Sequence, residues 1–480
     1  MRRLNPELRR YLWLELSPAR LVAMPVVIAA LMLLIGAWAF QPGLAMGGPG
    51  LLEGMATLGS TGFALIVLFW GARLSANAVV REIAGRTWDQ QRLSSAGAWA
   101  MTWGKLFGST VFVWYGCLLF LLVSGVSLIF WQAFYGGVSA LFDAPLWAVL
   151  VQMVVGLIAF AVLVMASVML IAMTAVARRE TGRQLDVSIA QIVVILVAFA
   201  LFTSFGDSSQ GAPVVWWGME LHALWFVVAS LVVFAAWAVV GLWRRMRVEL
   251  QVRNWPLMWP LFAVFAGLWA AGFADGVAAV VVAAVVVLVA GYVPAVLEQP
   301  DPVRLRRLLG ALRQGDGATA LRFMPLWLVN HMVALVAVVI AALVLLGEGV
   351  KGPEAGIEQI DGLAFAAGTL VAFYLFVTRD LLLLVFAALG RGGRRAFATW
   401  LLWMAVLYGL APMILAAVGF YPSLPIFVPV WDIPFANLAI PPVVWPLLQA
   451  IAVLLLIRWR WRRFAAGRLD HASVPKPLSS

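Results

Sequence analysis

Residues 58–80 read LGSTGFALIVLFWGARLSANAVV, residues 81–105 read REIAGRTWDQQRLSSAGAWAMTWGK, and a second apolar run opens at Leu106. The first stretch is long enough for a bilayer-crossing helix, which needs about 20 residues. The segment after it is basic, carrying Arg81, Arg86, Arg92 and Lys105 against Glu82 and Asp89. The same apolar and basic alternation runs through the whole chain. Apolar runs lie at Leu21–Phe40, Leu58–Val80, Leu106–Phe134, Leu146–Val176, Val187–Phe205 and Leu221–Trp243. They continue at Leu257–Phe273, Val277–Leu297, Phe323–Leu346, Leu363–Leu389, Phe397–Phe420 and Val443–Ile457.

The loops between these runs alternate between Arg-rich and acidic, and of 33 Lys and Arg residues only Lys351 falls on the acidic side. Positive loops stay in the cytoplasm, so both termini are expected there. Composition agrees: 64% of residues are hydrophobic and 11% charged, with a mean hydropathy of +0.99. The expected fold is an all-α polytopic membrane protein of about twelve transmembrane helices. The net charge of +11 sits in short loops at span ends, where it sets topology and meets anionic lipid. It does not call for nucleic acid as a partner. One cysteine, Cys117, lies inside an apolar run, which excludes an intramolecular disulfide and a thiolate metal site.

Two features flank this pattern. Leu4, Leu8, Tyr11, Leu12 and Leu16 recur at helical spacing opposite Arg2, Arg3, Arg9, Arg10 and Glu15, predicting an interfacial amphipathic helix before the first span. The seventh and eighth runs are separated only by Ala274-Asp275-Gly276; a re-entrant hairpin would fit, but two runs of this length are expected to cross. The polar, Pro-containing residues 471–480 are expected to be disordered.

An internal repeat is expected as well. Pro213-Val214-Val215-Trp216 recurs as Pro442-Val443-Val444-Trp445, and Trp243-Arg244-Arg245 as Trp461-Arg462-Arg463. Glu15-Leu16 with Met24-Pro25 is echoed by Glu249-Leu250 with Met258 and Pro260. The common order relative to the spans predicts two parallel six-span halves, residues 1–243 and 244–470.

The loop at 81–105 is too long and too patterned to be a spacer. A short helix, a Ser/Gly turn and a re-entry at Gly104-Lys105 would give a soluble partner an exposed face rigidly joined to two spans. In Glu82, Gly85, Thr87, Asp89, Leu93 and Gly104-Lys105 it resembles the first cytoplasmic loop of type-2 ABC exporter permeases, the membrane-spanning subunits of ABC transporters. Arg86 interrupts that family's Gly-Thr pair and Ala96 to Ala98 replace its Pro-Ser turn. The resemblance covers the first half and implies two six-helix exporter-like halves in a bacterial cytoplasmic (inner) membrane. It implies cytoplasmic ATPase subunits, expected to be two, docking on this ATPase-coupling loop with Trp88 and Arg92 in the contact. The counterpart loop would be the second coupling loop, with Arg304, Arg306, Arg307 and Arg313. Outer re-entrant segments would lie around Pro213 and Trp216 and around Pro442 and Trp445, unless these are ordinary outer loops with interfacial tryptophans.

No Gly-x-x-x-x-Gly-Lys-Ser/Thr sequence occurs, so no phosphate-binding loop is present. The chain is expected to be no enzyme and to hold no cofactor or metal, with ATP and magnesium in the partner subunit. Ionisable or amide residues inside the runs are few and functional by default: Arg73 with Asn77, Arg379 with Asp380, and His331. Because adjacent helix residues do not face each other, Arg379 and Asp380 are expected to pair with neighbouring helices, a role in conformational change being the alternative. A secondary transporter is the alternative function, and a membrane glycosyltransferase using Glu53 and Asp432 a further one. Mostly apolar spans favour a lipid-like or amphipathic cargo.

In a Cys117→Ala background, single cysteines at Glu53, Asp143, Asp207, Glu354 and Asp432 are expected to react with an impermeant maleimide from outside. Those at Arg92, Gly182, Arg313 and Gly393 are expected to stay unlabelled until the membrane is opened; outside labelling at Arg313 would break the two-crossing reading of the seventh and eighth runs.

Overall fold

The structure is a computed structural model that describes residues 5–39, 48–84, 97–142, 144–177, 213–252, 254, 256–298, 300–351, 357–390, 396–420, 424, 426–428 and 442–465. The fifth expected span, residues 85–96 of the 81–105 loop and the C-terminal tail lie outside these residues. Among the described residues nine helices are long and apolar enough to cross a membrane, and a bent helix pair at the N-terminus makes a tenth. The protein is thus an all-α polytopic membrane protein. It divides into two compact units, Met1–Val215 with Met219–Asn254, and Trp216–Gly218 with Trp255–Ser480.

The first unit begins with α1 (Pro6–Glu15), whose start is fixed by Pro6 at the first helical position and by Asn5, whose Oδ1 accepts from the Glu7 backbone N–H at 3.0 Å. Proline there forfeits no hydrogen bond, and an Asn cap satisfies one of the orphan donors. Leu8, Tyr11, Leu12 and Leu16 are half-buried while Arg9 and Arg10 are exposed, as the amphipathic reading requires. Glu15, placed on the polar face by that reading, is also half-buried, since it pairs with Arg20 at 2.7 Å. The chain then bends by 69° into α2 (Pro18–Ala39).

The second span is one helical rod, α3 (Gly48–Leu65), a π segment (Ile66–Gly71) and α4 (Ala72–Ala84). It packs on α6 (Val111–Tyr135) and α8 (Leu146–Ala177), and α8 packs in turn on α9 (Ala223–Glu249). Apolar side chains gain little by leaving lipid for protein, so close approach and polar contacts drive such packing. Both are visible between α3 and α6. A Cβ on Gly59 would meet the Ser124 Cβ at 2.8 Å, and one on Gly62 would strike the Phe120 ring. Ser60 and Ser124 share a hydrogen bond of 2.9 Å, and the Ser124 hydroxyl reaches the Ala56 carbonyl at 2.7 Å. Cys117 is fully buried in this core.

Before α9, Val214–Trp216 (β1) and Met219–Leu221 (β2) form a two-stranded hairpin. Trp217 and Gly218 both have positive φ, at 53° and 71°, the backbone of a two-residue turn that matches strand twist. The described part of the first outer segment is thus a β-hairpin closed by the Trp217-Gly218 turn; residues 207–212 of that segment lie outside the described residues. Helix α9 runs through residue 243 to Glu249.

The second unit contains α10 (Met258–Ala271), α11 (Gly276–Val289), α12 (Tyr292–Leu297), α13 (Pro302–Arg313), α14 (Gly317–Phe323), α15 (Leu326–Lys351) and α16 (Ile357–Ala388). It closes with α17 (Ala396–Met404), a π segment (Ala405–Leu410), α18 (Ala411–Ala417) and α19 (Val444–Ala465). Helix α10 packs on α11, α11 on α15, α15 on α16, and α16 on α17 and α19. At 14 residues α10 rises only about 21 Å, short of a hydrocarbon core near 30 Å, so the seventh expected span is a short helix. Gly267 lets it approach α11 closely, with the Ala283 carbonyl 2.9 Å from where a Cβ would sit.

Gly62→Val is expected to lower stability by about 1–3 kcal/mol, the usual cost of forcing volume into a packed contact. A fall in the thermal midpoint of the purified protein in detergent, absent in Gly54→Val where no atom lies within 4 Å of the new Cβ, checks it.

Candidate functional site

The densest polar cluster surrounds Asp380 on α16. Its side chain and that of Arg379 are almost wholly buried, at 0% and 1% exposure. Arg379 Nε and Nη2 donate to Asp380 Oδ1 at 2.9 and 2.8 Å. The other carboxylate oxygen accepts from Tyr292 Oη and Tyr408 Oη, each at 2.6 Å. Arg379 Nη1 donates to Gln449 Oε1 at 2.6 Å, and Gln449 Nε2 to the Ile426 carbonyl at 2.6 Å. Trp400 Nε1 reaches the Asp380 carbonyl at 2.8 Å. The Phe376 and Tyr408 rings lie 4.9 and 5.1 Å from the guanidinium carbon.

This corrects the expected pairing. Arg379 and Asp380 are partners of each other, because the long arginine side chain folds its guanidinium back over the next residue's carboxylate. The neighbouring helices contribute tyrosines and a glutamine instead of charges. None of those partners was singled out from sequence. The available signal was scarcity: the chain has 7 tyrosines, and two of them converge on this one carboxylate. Tyr408 sits in a π segment, a helix defect frequently found at functional sites.

Directly before Arg379, Thr378 Oγ1 donates to the Tyr374 carbonyl at 2.8 Å and lies 2.9 Å from His331 Nε2. Either group can donate in that last bond, according to the tautomer of His331. The imidazole stacks on Tyr374 at 4.4 Å. Neighbouring Asn330 donates to the Val287 carbonyl at 2.9 Å. Of the other intramembrane candidates, Arg73 is exposed and Asn77 half-buried.

A second cluster lies at the basic end of the first unit, where α4 ends and α5 (Ala98–Gly108) begins. Lys105 is fully buried and forms an ion pair with Glu82. Tyr11 Oη donates to the other Glu82 oxygen at 3.4 Å, and Asn5 Nδ2 to the Ala100 carbonyl at 2.5 Å. Burial first, then the Glu82 and Glu7 carboxylates, push the Tyr11 phenol above its ordinary range, which keeps it a donor. Gly104 and Gly108 clear the α5 surface for Asn5, Glu7 and Tyr11. Trp99, Trp103, Phe107 and Trp114 follow in a chain of ring contacts at 5.4, 4.9 and 5.5 Å, an aromatic belt at the membrane boundary. Glu82 and Lys105 were each expected in the loop, but their pairing was not. Gly85, Thr87, Trp88, Asp89, Arg92 and Leu93 lie outside the described residues.

The four arginines of the counterpart loop part company. Arg304 is turned inward, donating to the Phe323 and Met324 carbonyls at 3.1 and 3.0 Å, while Arg306, Arg307 and Arg313 are exposed on α13. On the acidic side, Trp216 Nε1 donates to the Trp269 carbonyl at 3.0 Å and Pro213 is exposed. Pro442 is buried in the turn before α19 and Trp445 is half-buried in its first turn. Most of the second outer segment lies outside the described residues.

No family model, no curated protein and no solved structure matches this chain.

Removing one member of a buried ion pair strands the other, at a cost of about 3–5 kcal/mol, whereas replacing both by apolar residues is often near neutral. Asp380→Ala is accordingly expected to collapse the detergent thermal midpoint, and Arg379→Met with Asp380→Leu to recover most of it. Equal losses in the single and double variants would deny that the two charges neutralise each other.

Proposed function

We propose that this chain is the membrane-spanning subunit of an exporter of the type-2 ABC class, energised by ATPase subunits on separate polypeptides. The observation that carries the reading is the Glu82–Lys105 pair with Tyr11. It pins together the two ends of the candidate coupling segment and clamps α1 across them. A push on residues 85–96 would then pass directly into the second and third spans and into the interfacial helix. Coupling of this kind needs a partner that contacts two conformations differently and a rigid connection to transmit the difference. A buried ion pair supplies that rigidity better than an exposed one, which water and salt would loosen.

In this reading Trp88 anchors the ATPase and Asp89 and Arg92 fix its orientation, while Glu82, buried against Lys105, transmits the push instead of meeting the partner. The two six-span halves form the pathway, and a lipid-like or amphipathic molecule is the cargo. The packing of the fourth span on the sixth, and of the tenth on the twelfth, supports the repeat. A second reading, a secondary transporter, is favoured by Asp380, since such carriers use a buried acid at an interrupted helix. Against it, both Asp380 oxygens are already occupied by Arg379, Tyr292 and Tyr408. A glycosyltransferase finds no support, with Glu53 exposed and Asp432 outside the described residues.

The test is purification from native membranes. An ATPase subunit should accompany the chain, and Trp88→Ala should weaken that association about thirtyfold, the equivalent of about 2 kcal/mol for a lost hot spot. Glu82→Gln with Lys105→Met should leave association intact and abolish substrate-stimulated ATP hydrolysis. A preparation free of any ATPase, in which an ion gradient alone drives transport and Asp380→Asn stops it, would replace the exporter by the secondary transporter.

A further inference from the structure

The helical hairpin α13–α14 carries an exposed face that the fold itself does not use. Leu308, Ala311 and Ala320 point inward and are buried. Arg304 stitches α13 to the end of α14 through the Phe323 and Met324 carbonyls and lies 3.7 Å from Glu298. The Glu298 carboxylate also accepts from the Leu326 backbone N–H at 2.8 Å, at the start of α15. The hairpin is therefore fastened to the ends of two membrane helices. Its tethers are short. Glu298 to Asp301 join it to α12, and Met324 and Pro325 to α15, reaches of about 14 and 7 Å at full extension.

What the hairpin turns outward is a mixture of aliphatic side chains and arginine. Val303, Leu309, Leu312 and Leu321 are 53%, 41%, 55% and 38% exposed. Arg306, Arg313 and Arg322 are exposed beside them and make no ion pair among the described residues. Arg307 is also exposed, with its guanidinium 5.5 Å from the Phe323 ring. At 100° per residue, Leu305, Leu309 and Leu312 share one flank of α13 and Arg306 and Arg313 the adjoining one.

We propose that this hairpin lies on the leaflet at the basic end of the spans and binds the headgroups of anionic phospholipids. Leucines flanked by arginines on a helix held at span ends match an interfacial helix, which sinks its apolar flank to the acyl boundary and leaves its charges among phosphates. A cluster of four to eight basic residues next to a membrane helix reads as anionic lipid recognition. Protein docking faces are instead anchored by Trp, Tyr and Arg, with Leu under-represented. The outward face of α13–α14 has no Trp or Tyr. The hairpin thus serves the bilayer, in place of the second ATPase seat that the exporter resemblance implies, and this assignment stands whether or not the chain is an exporter.

The experiment uses the full chain in lipid nanodiscs of phosphatidylcholine alone or with one part in three phosphatidylglycerol, reading amide hydrogen exchange over residues 302–323. Phosphatidylglycerol is expected to slow exchange about fivefold, the effect of a favourable contact by even one arginine, and high salt to erase the difference. The Arg306→Gln, Arg307→Gln, Arg313→Gln, Arg322→Gln variant removes every exposed arginine of the hairpin, keeps the buried contacts and is expected to exchange equally in both lipids. Arg304→Gln is expected to quicken exchange in both, which separates a loosened hairpin from a lost lipid contact. Equal wild-type rates in the two lipids, or slowing that survives the quadruple substitution, would overturn the proposal. So would protection that appears only with an added ATPase subunit and ignores lipid charge, which would return the face to a protein partner.

Discussion

A carboxylate placed inside a membrane protein has no water to solvate it, so the protein must supply every hydrogen bond that water would have made. Asp380 meets this demand in full. Two guanidinium nitrogens take one oxygen and two phenols take the other. The consequence is architectural, because those donors come from α12, from the π segment after α17 and from α16 itself. Gln449 extends the set to α19 and, through the Ile426 carbonyl, to the segment before it. Apolar side chains distinguish poorly between a protein neighbour and a lipid tail, so it is this carboxylate that decides which helix surfaces of the second unit meet.

The eleventh span shows the effect. Only 6% of its apolar window is buried, and Leu402, Met413 and Val418 on it are largely exposed. Area burial gives such a helix little reason to stay. Trp400 and Tyr408, both bonded to Asp380, tie it to α16 at two points on one side. The π segment brings Tyr408 to that side by adding a residue to the helical turn. A strict α-helix would rotate every residue beyond the insertion by about 100°.

How far the sequence could reveal this depends on the range of the interaction. Among the described residues, the positions of the long apolar helices and the amphipathic α1 were legible, since they rest on local periodicity that needs no tertiary contact. Arg379 and Asp380 stood out by being charged in an apolar run. Their partnership did not, because the rule that adjacent helix residues diverge holds for short side chains and fails for one as long as arginine. Tyr292 and Tyr408 lie 88 and 28 residues from Asp380, and no pattern of spacing links them. At α10 the apolar run and the helix differ slightly in length, because hydropathy counts apolar residues whereas helix length is set by where the backbone turns, here after Ala271.

The two buried ion pairs differ in what surrounds them, and this separates their roles. Arg379–Asp380 has its remaining bonding capacity taken up by two phenols and an amide, each at 2.6 Å, so moving any one partner takes a hydrogen bond from a buried charge. Glu82–Lys105 has a looser third member, Tyr11 at 3.4 Å, and sits where two spans and an interfacial helix meet. Buried pairs contribute little net stability over apolar residues of equal size, but they penalise every arrangement in which the partners separate. A cluster that gathers several elements resists relative motion and keeps the second unit in one packing. A pair that joins the end of α4 to α5, with α1 held to it through Tyr11, resists only the spreading of those ends and leaves the packing of the helices on either side of it unfixed.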